Sequence, residues 1–260
     1  MLARFNLLFF ALSLVFITAC NSDDSEKPME KEGKVRIEIV HTVNGIPFSL
    51  DSQIYKSKAG NKYSISRIMY YLSNFSFESK ACKTFTPEPN YHLIFSQTDP
   101  NYGDPSNNNL YEKLTFTYKL PVGCYEEVRM GLGVDSNANE GGSPFSGDLG
   151  SIWNMSWEMA KHYKFLVHEG TFENDTMGNS NFIHHLGFSR FYQERILDLT
   201  KDLIIEEGET TILKLNVDLG QILNSQHIID LNESKTAMSA NQLTRKLMDN
   251  WASAFSFDEN

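Results

Sequence analysis

The sequence predicts an all-β protein, an antiparallel β-sandwich or barrel-like domain with an amphipathic helix at its C-terminus. Three observations support this fold class. Apolar and polar residues alternate with a period of two in several short segments, as in half-buried strands. Turns rich in Asn, Gly, Pro and Asp separate these segments. No long amphipathic helix is indicated between residues 33 and 230, so one β domain over residues 34–260 is expected.

The N-terminal part of this domain gives clear strand patterns. Residues 34–40 alternate apolar and charged side chains, which predicts a half-buried strand. Asn44-Gly45 is a typical hairpin turn, with residues 46–50 as the partner strand. Residues 62–77 are rich in Tyr, Ile and Phe, and they are expected to form two strands with a break near Ser66.

Later segments continue the pattern. Residues 114–120 and 128–134 both alternate, and Pro121-Val-Gly123 between them predicts an antiparallel pair. Shorter strands are expected at 91–95, 164–172, 181–188 and 213–217. The polar stretches 97–109 and 135–148 predict long irregular loops.

The C-terminal segment has a different period. Four apolar residues recur at every fourth position: Leu243, Leu247, Trp251 and Phe255. This spacing predicts an amphipathic helix packed on the sheets. Ser239 and Gln242 have the spacing of a capping box, which places the start of the helix near them.

The N-terminus resembles a lipoprotein signal. Residues 1–19 carry one Arg and a short apolar run that ends in Ala19-Cys20, which predicts a cleaved signal peptide with lipid on Cys20. A cleaved peptide with an incidental cysteine is the alternative. Residues 20–33 predict a flexible acidic tether. Because acidic residues directly behind the lipidated cysteine resemble the export signal of Bacteroidetes surface lipoproteins, we expect attachment to the outer membrane, with the surface favoured over the periplasm.

Charge and motifs exclude several functions. The formal net charge is −10, so the chain lacks the basic surface that nucleic acid requires. It contains no Gly-x-Ser-x-Gly elbow, no glycine-rich phosphate loop and no His-Glu-x-x-His helix. A binding protein is therefore expected rather than an enzyme.

Two cysteines remain after Cys20. In an oxidising compartment, Cys82 and Cys124 are most simply a disulfide. Two thiolates that hold a soft metal are the alternative.

The stretch 153–170 concentrates groups that suit copper. It holds two Trp, two Met and two His, and His184-His185 follows. Thioether ligands suit Cu(I), and imidazole suits copper generally, although an ordinary aromatic core would use the same residues. If 181–188 is a strand, His184 and His185 point to opposite faces, so only one of them serves a given site directly.

An ordered series of motifs resembles one family. The motifs are His41-Thr-Val-Asn-Gly-Ile-Pro-Phe, Tyr70-Tyr-Leu-Ser-Asn74, Leu120-Pro-Val-Gly-Cys-Tyr125, Gly131-Leu-Gly-Val-Asp135, Met155-Ser-Trp157, His162-Tyr-Lys-Phe, Glu169-Gly170 and His184-His-Leu-Gly187. Their order is that of MbnP-like proteins, a family named for a periplasmic copper-binding protein associated with methanobactin. The resemblance runs from about residue 34 to the C-terminus.

The resemblance implies a β-rich secreted domain that binds copper through histidines and an oxidised tryptophan, with a di-haem peroxidase-like partner that oxidises this Trp to kynurenine. It places Trp157 and His185 at the metal. Two positions depart from the family pattern: Met159 stands where a second Trp is expected, and Glu140 where a His is expected. Because carboxylate is a harder ligand than imidazole, the alternative is a lipoprotein that keeps the scaffold without metal and serves as a partner-binding or structural module.

Overall fold

A computed structural model of the chain describes residues 31–51, 54–98, 110–141, 146–157, 162–176 and 178–257, within one compact unit of residues 31–260. The expected signal peptide, the lipidation site Cys20 and the candidate ligand Met159 lie outside the described residues, as does most of the predicted loop 97–109. In the described part of the chain, no helix is long and apolar enough to span a bilayer.

In the described residues, the fold contains fifteen strands and four short α-helices. The strands are β1 (Glu32–Val43), β2 (Ile46–Pro47), β3 (Tyr55–Lys56), β4 (Lys62–Ser79), β5 (Thr84–Phe85), β6 (Tyr91–Thr98), β7 (Leu110–Lys113), β8 (Thr115–Pro121), β9 (Gly123–Leu132), β10 (Lys164–Asn174), β11 (Gly178–Gly187), β12 (Gln193–Ile205), β13 (Thr210–Asp218), β14 (Thr236–Ala237) and β15 (Phe255–Phe257). The helices are α1 (Ser136–Glu140), α2 (Gln221–Asn224), α3 (Leu231–Ser234) and α4 (Gln242–Ala252).

The strands form two sheets with the core between them. The smaller sheet has the order β15-β13-β1-β2, with β8 also paired to β1. The larger sheet has the order β12-β9-β4-β10-β11-β14, and β3, β5, β6 and β7 extend it. Aromatic side chains join the two layers: the rings of Phe75 on β4 and Phe116 on β8 have centroids 5.3 Å apart. The molecule is therefore a β-sandwich.

The predicted fold class is confirmed, with two refinements. The sheets do not close into a barrel, and they are mixed rather than purely antiparallel, because β1 runs parallel to β13 and β11 runs parallel to β14. The alternation predicted for residues 34–40 extends over all of β1, whose side chains are buried at every second position. Strand β1 begins at Glu32, the second-last residue of the expected tether 20–33.

The predicted hairpin across Pro121-Val-Gly123 is wrong. Strand β8 pairs with β1 in the smaller sheet, whereas β9 pairs with β4 and β12 in the larger one. The turn therefore carries the chain from one sheet to the other. Alternation shows which face of a strand is buried, but it does not show which strand is its neighbour.

Two other strand predictions need correction. The break expected near Ser66 is a bulge within one continuous strand: Arg67 pairs with Glu169 and Ile65 with Gly170, so Ser66 is the extra residue. The partner strand expected at 46–50 is only the two-residue β2. Strand β12 is not indicated by the sequence pattern; it is an edge strand whose side chains are mostly exposed or half-buried.

The helical predictions are partly correct. Helix α4 exists, but it is capped by Asn241, whose side chain accepts a hydrogen bond from the amide of Thr244, and not by the predicted Ser239 box. Phe255 lies in β15 beyond the helix. The excursion predicted at 135–148 contains α1, which is capped by the side chain of Asp135.

The predicted disulfide is not formed. Cys82 is exposed and Cys124 is half-buried, and both are free. Cys82 lies in the turn after β4 with a φ of 54°, whereas the Cys124 side chain is hydrogen-bonded to Asp202. The pairing rested on the number of cysteines alone, which carries no information on where their side chains point.

Candidate metal centre

The candidate centre lies on the outer face of the larger sheet, where β10 and β11 run antiparallel. Val167 pairs with His185, and Glu169 pairs with Ile183. Since side chains alternate along a strand, Glu169 and His185 share the outer face as diagonal neighbours. His184 is fully buried on the inner face, as the sequence predicted for two consecutive histidines in one strand.

His185 is held by a carboxylate. Its Nε2 lies 2.5 Å from Oε1 of Glu169, and the guanidinium of Arg67 lies 3.7 Å from the same oxygen. An ionised carboxylate only accepts hydrogen bonds, so Nε2 carries the proton and donates it. Nδ1 of His185 is buried and has no hydrogen-bond partner. Its lone pair is therefore free for a ligand.

Glu169 is ionised in this arrangement. Burial, the largest influence, would raise the pKa of Glu169, but the hydrogen bond from His185 and the positive charge of Arg67 outweigh it, so the pKa is lowered. Hydrogen bonds and nearby cations favour the charged form of a carboxyl group. This charge fixes the tautomer of His185.

Trp157 lies beside His185. The ring centroids of the two residues are 6.0 Å apart, and the ring of Phe188 stacks with the indole at a centroid distance of 6.2 Å. The indole Nε1 is buried without a partner. It lies so near Gly187 that a Cβ there would come within 3.2 Å of it. Nζ of Lys164 lies 5.5 Å from the centre of the same ring.

Backbone pairing brings His162 to this region. Ser156 and Tyr163 form an isolated antiparallel bridge, and the amide of Trp157 donates to the carbonyl of His162 at 2.8 Å. Nδ1 of His162 donates to the carbonyl of Asn139 at 3.0 Å, so its Nε2 keeps the lone pair. Asn139 thus connects this backbone pairing to α1.

Glu140 belongs to an adjoining pocket. It lies at the end of α1 and is exposed. The pocket, of about 220 Å³, is lined by Glu140, His162, Phe188, Ser189, Arg190 and Ala240. Phe188 connects this pocket to Trp157. Trp157 therefore lies directly beside His185, whereas Glu140 lines the same pocket as His162.

Three neighbours were not assigned to the metal site from the sequence: Glu169, Arg67 and Lys164. Glu169 was visible only as part of a family motif, and its pairing with His185 depends on the register of β10 and β11. No group of three or more His, Cys, Asp or Glu side chains is assembled for a metal among the described residues. The described part of the site thus offers two imidazoles, each with one nitrogen tied to the protein.

The hydrogen bonds of the two histidine rings fit a copper site. A histidine that binds a metal usually donates its other ring N–H to a carboxylate or a carbonyl, and His185 and His162 both do so. Unmodified Trp157 cannot be a ligand, because its indole nitrogen is a donor only. Oxidative cleavage of its ring would release an amine with a lone pair at this position.

Fold and site together define a β-sandwich protein with a histidine–tryptophan centre on one outer face. The MbnP family model matches residues 32–241, so the chain belongs to the MbnP family. Among solved structures, MbnP from Methylosinus trichosporium is similar at 12% sequence identity, with a TM-score of 0.49 over 81% of this chain and 82% of that chain. No curated protein matches the chain.

Proposed function

We propose that this protein binds copper on the outer face of its larger sheet and serves in copper acquisition or handling as a binding protein rather than an enzyme. The observation that carries the proposal is the free, buried Nδ1 of His185 beside Trp157, with Nε2 held by ionised Glu169. Such a carboxylate–histidine pair orients a metal ligand and raises its basicity.

His162 is the second imidazole of the proposed site. Its Nδ1–H is fixed by the carbonyl of Asn139, which leaves Nε2 for metal. Glu140 shares the pocket with His162 and supplies the only acidic oxygen among the lining residues. Imidazole binds both oxidation states of copper, whereas a carboxylate favours Cu(II). Glu140 is thus expected to matter more for Cu(II) than for Cu(I).

We further propose that Trp157 is oxidised to kynurenine by a di-haem peroxidase-like partner. Cleavage of the indole C2–C3 bond would consume two molecules of hydrogen peroxide, each of which transfers one oxygen atom to the ring and leaves as water. Hydrolysis by one further water would then release C2 as formate and leave the free aryl amine. Trp157 is only half-buried, so a partner can approach its ring from solvent. Mass spectrometry of the peptide that contains Trp157, from protein purified from its native cells, tests this step: an unmodified indole contradicts it.

Attachment to the outer membrane through lipidated Cys20 remains a proposal from the sequence. It predicts that labelled fatty acid is incorporated into the wild-type chain and not into Cys20→Ala. Because the tether keeps the folded domain near the membrane surface, copper would be bound at the cell boundary.

The direct test is titration of the mature chain with Cu(I) against a competing chelator. His185→Ala should lower the affinity at least 100-fold, since it removes the central ligand. The matched control is His227→Ala, because His227 also lies near a carboxylate, with Nε2 3.9 Å from Asp249, but outside the site. Equal affinity in His185→Ala and wild type would contradict the proposal.

Two observations favour a second function. Two cations, Arg67 and Lys164, border the site, and the described residues contain no assembled three-ligand group. A partner-binding scaffold without metal would have the same features. In that case neither Cu(I) nor Cu(II) would bind at micromolar concentration, and His185→Ala would change stability alone.

A further inference from the structure

A second pair of histidines lies inside the sandwich. His168 on β10 and His184 on β11 are directly paired across the two strands, and both side chains are fully buried. Their ring centroids are 5.6 Å apart with an interplanar angle of 47°. Because consecutive residues of a strand face opposite sides, this pair is separated from Glu169 and His185 by the sheet itself.

Three ring nitrogens of this pair have no hydrogen-bond partner. Nε2 of His184 lies 2.9 Å from the carbonyl of Ser234 and therefore carries the proton, which leaves the lone pair on Nδ1. Nδ1 of His184 and both nitrogens of His168 are buried without a partner. A buried polar group that is left unsatisfied destabilises the folded state, and native proteins rarely contain several such groups together.

We propose that His168 and His184 form a second, internal site that binds one soft monovalent cation of the Cu(I) class between their two imidazoles. Two metal–nitrogen bonds of about 2.0 Å each would place the ring centres roughly 6 Å apart when a nitrogen of each ring faces the metal. The observed 5.6 Å separation is close to this value.

The apolar residues around the histidine pair favour a monovalent cation over a divalent one. Phe182 packs on both rings, with centroids 4.8 Å from His168 and 5.4 Å from His184. No third His, Cys, Asp or Glu joins the pair in the described part of the chain. A divalent ion held by two neutral ligands would bring two uncompensated charges into an apolar interior, which costs far more than one. Two neutral imidazoles suit a soft monovalent ion that is stable at a low coordination number.

Burial keeps the two ligands in the required neutral form. Burial disfavours the charged form of an imidazole, and both side chains are fully buried. Burial also predicts slow exchange, because the ion can enter or leave only when the strands open. The second equivalent should therefore load during refolding and resist removal by a chelator.

The test uses the mature chain refolded with Cu(I) and then passed over a Cu(I) chelator. In the His185→Ala background the outer site is disabled, and the internal pair should still retain one equivalent. His185→Ala with His168→Phe should retain none, while near-ultraviolet circular dichroism shows that it is folded. Phe matches the aromatic neighbour and removes both unsatisfied nitrogens, so this variant without metal should be at least as stable as its parent.

Two results would overturn the internal site: His185→Ala retains no Cu(I), or the double variant retains as much as the single one. The first result is expected if the pair binds an ordered water instead. If His168→Phe does not fold, X-ray absorption of the Cu(I)-loaded His185→Ala protein decides the question. Two nitrogen neighbours support the site, and a sulfur or a higher coordination number contradicts it. A different result would contradict the outer site, namely that His185→Ala binds as many equivalents of Cu(I) as the wild type.

Discussion

Glu169 determines which nitrogen of His185 faces the candidate copper site. The carboxylate accepts the proton of Nε2 at 2.5 Å, and Arg67 adds a positive charge that favours the ionised form. Without the charge on Glu169, His185 would exchange between tautomers, and its Nδ1 would be a poorer base.

Glu169→Gln should therefore lower Cu(I) affinity about 10- to 100-fold, the usual cost of losing such a partner, while the fold is retained. Chelator competition measures the change. Glu173→Gln is the matched control, because Glu173 also lies on β10 but is exposed and forms an ion pair with Lys62, outside the site. An unchanged affinity in Glu169→Gln would show that the pair serves the sheet and not a metal.

The protonation of His41 makes the stability of the core depend on pH. Its Nε2 lies 2.8 Å from the hydroxyl of Tyr70, and burial lowers the pKa of His41 to about 3. In the unfolded chain the same group titrates near pH 6.5. The unfolded state therefore binds more protons below pH 6.5, and the stability that depends on neutral His41 is lost as the pH falls from about 6.5 towards 3.

His41→Phe should reduce the pH dependence of the unfolding free energy by about 1 kcal/mol per pH unit between pH 6 and pH 5. Urea unfolding at several pH values measures this slope. A slope equal to that of wild type would mean that His41 is protonated in the folded protein.

The end of β11 shapes the tryptophan site. Gly187 follows His185 and Leu186, and its missing side chain lets the backbone approach other groups closely. A Cβ at Gly187 would lie 2.5 Å from the carbonyl oxygen of Tyr163 and 3.2 Å from Nε1 of Trp157. Gly187, the last residue of the His-Leu-Gly sequence, thus leaves the space that the indole of Trp157 occupies.

Gly187→Ala should displace Trp157, reduce stability by about 1–3 kcal/mol through overpacking and lower copper affinity roughly 10-fold. Urea unfolding and Cu(I) competition measure the two effects. Gly123→Ala is the control, since its Cβ would meet nothing closer than a Tyr125 ring atom at 3.8 Å. A Gly187→Ala protein with unchanged copper affinity would exclude a role for the position of the indole.

Helix α1 is fixed to the site by one side chain. Oδ1 of Asn139 accepts from the amide of Tyr163 at 2.7 Å, and its Nδ2 donates to Ser189 at 2.9 Å. Asn139→Ala removes the side-chain acceptor of the buried Tyr163 amide, so it should cost about 1–3 kcal/mol of unfolding free energy. Asn137→Ala, at an exposed position of the same helix, should change stability by less than about 0.5 kcal/mol. Equal losses in the two variants would contradict the role given to Asn139.

Strand patterns were predictable from the sequence wherever one face is buried. The alternation in β1, β8 and β9 follows directly from burial of every second side chain. The sheet order was not predictable, because β8 and β9 have the pattern of a hairpin although they lie in different sheets. Strand β12 was missed because its charged and exposed side chains resemble a loop.

At the scale of the whole molecule, the site was only partly predictable. Trp157 and His185 were identified through a family resemblance, and the fold brings their rings to 6.0 Å. The partnership of His185 with Glu169 depends on strand register, which the sequence does not contain. The unpaired nitrogens of His168 were also beyond prediction, since a core histidine is normally satisfied.

Copper binding at the proposed site depends most on Nδ1 of His185. Nitrogen-15 NMR of the histidine rings, recorded on the mature chain before and after Cu(I) is added, observes this atom directly. We predict that the Nδ1 resonance of His185 shifts on metal binding while Nε2 stays protonated against Glu169. A His185 ring that does not change with copper, or a metal that replaces the proton on Nε2, would contradict the proposed site.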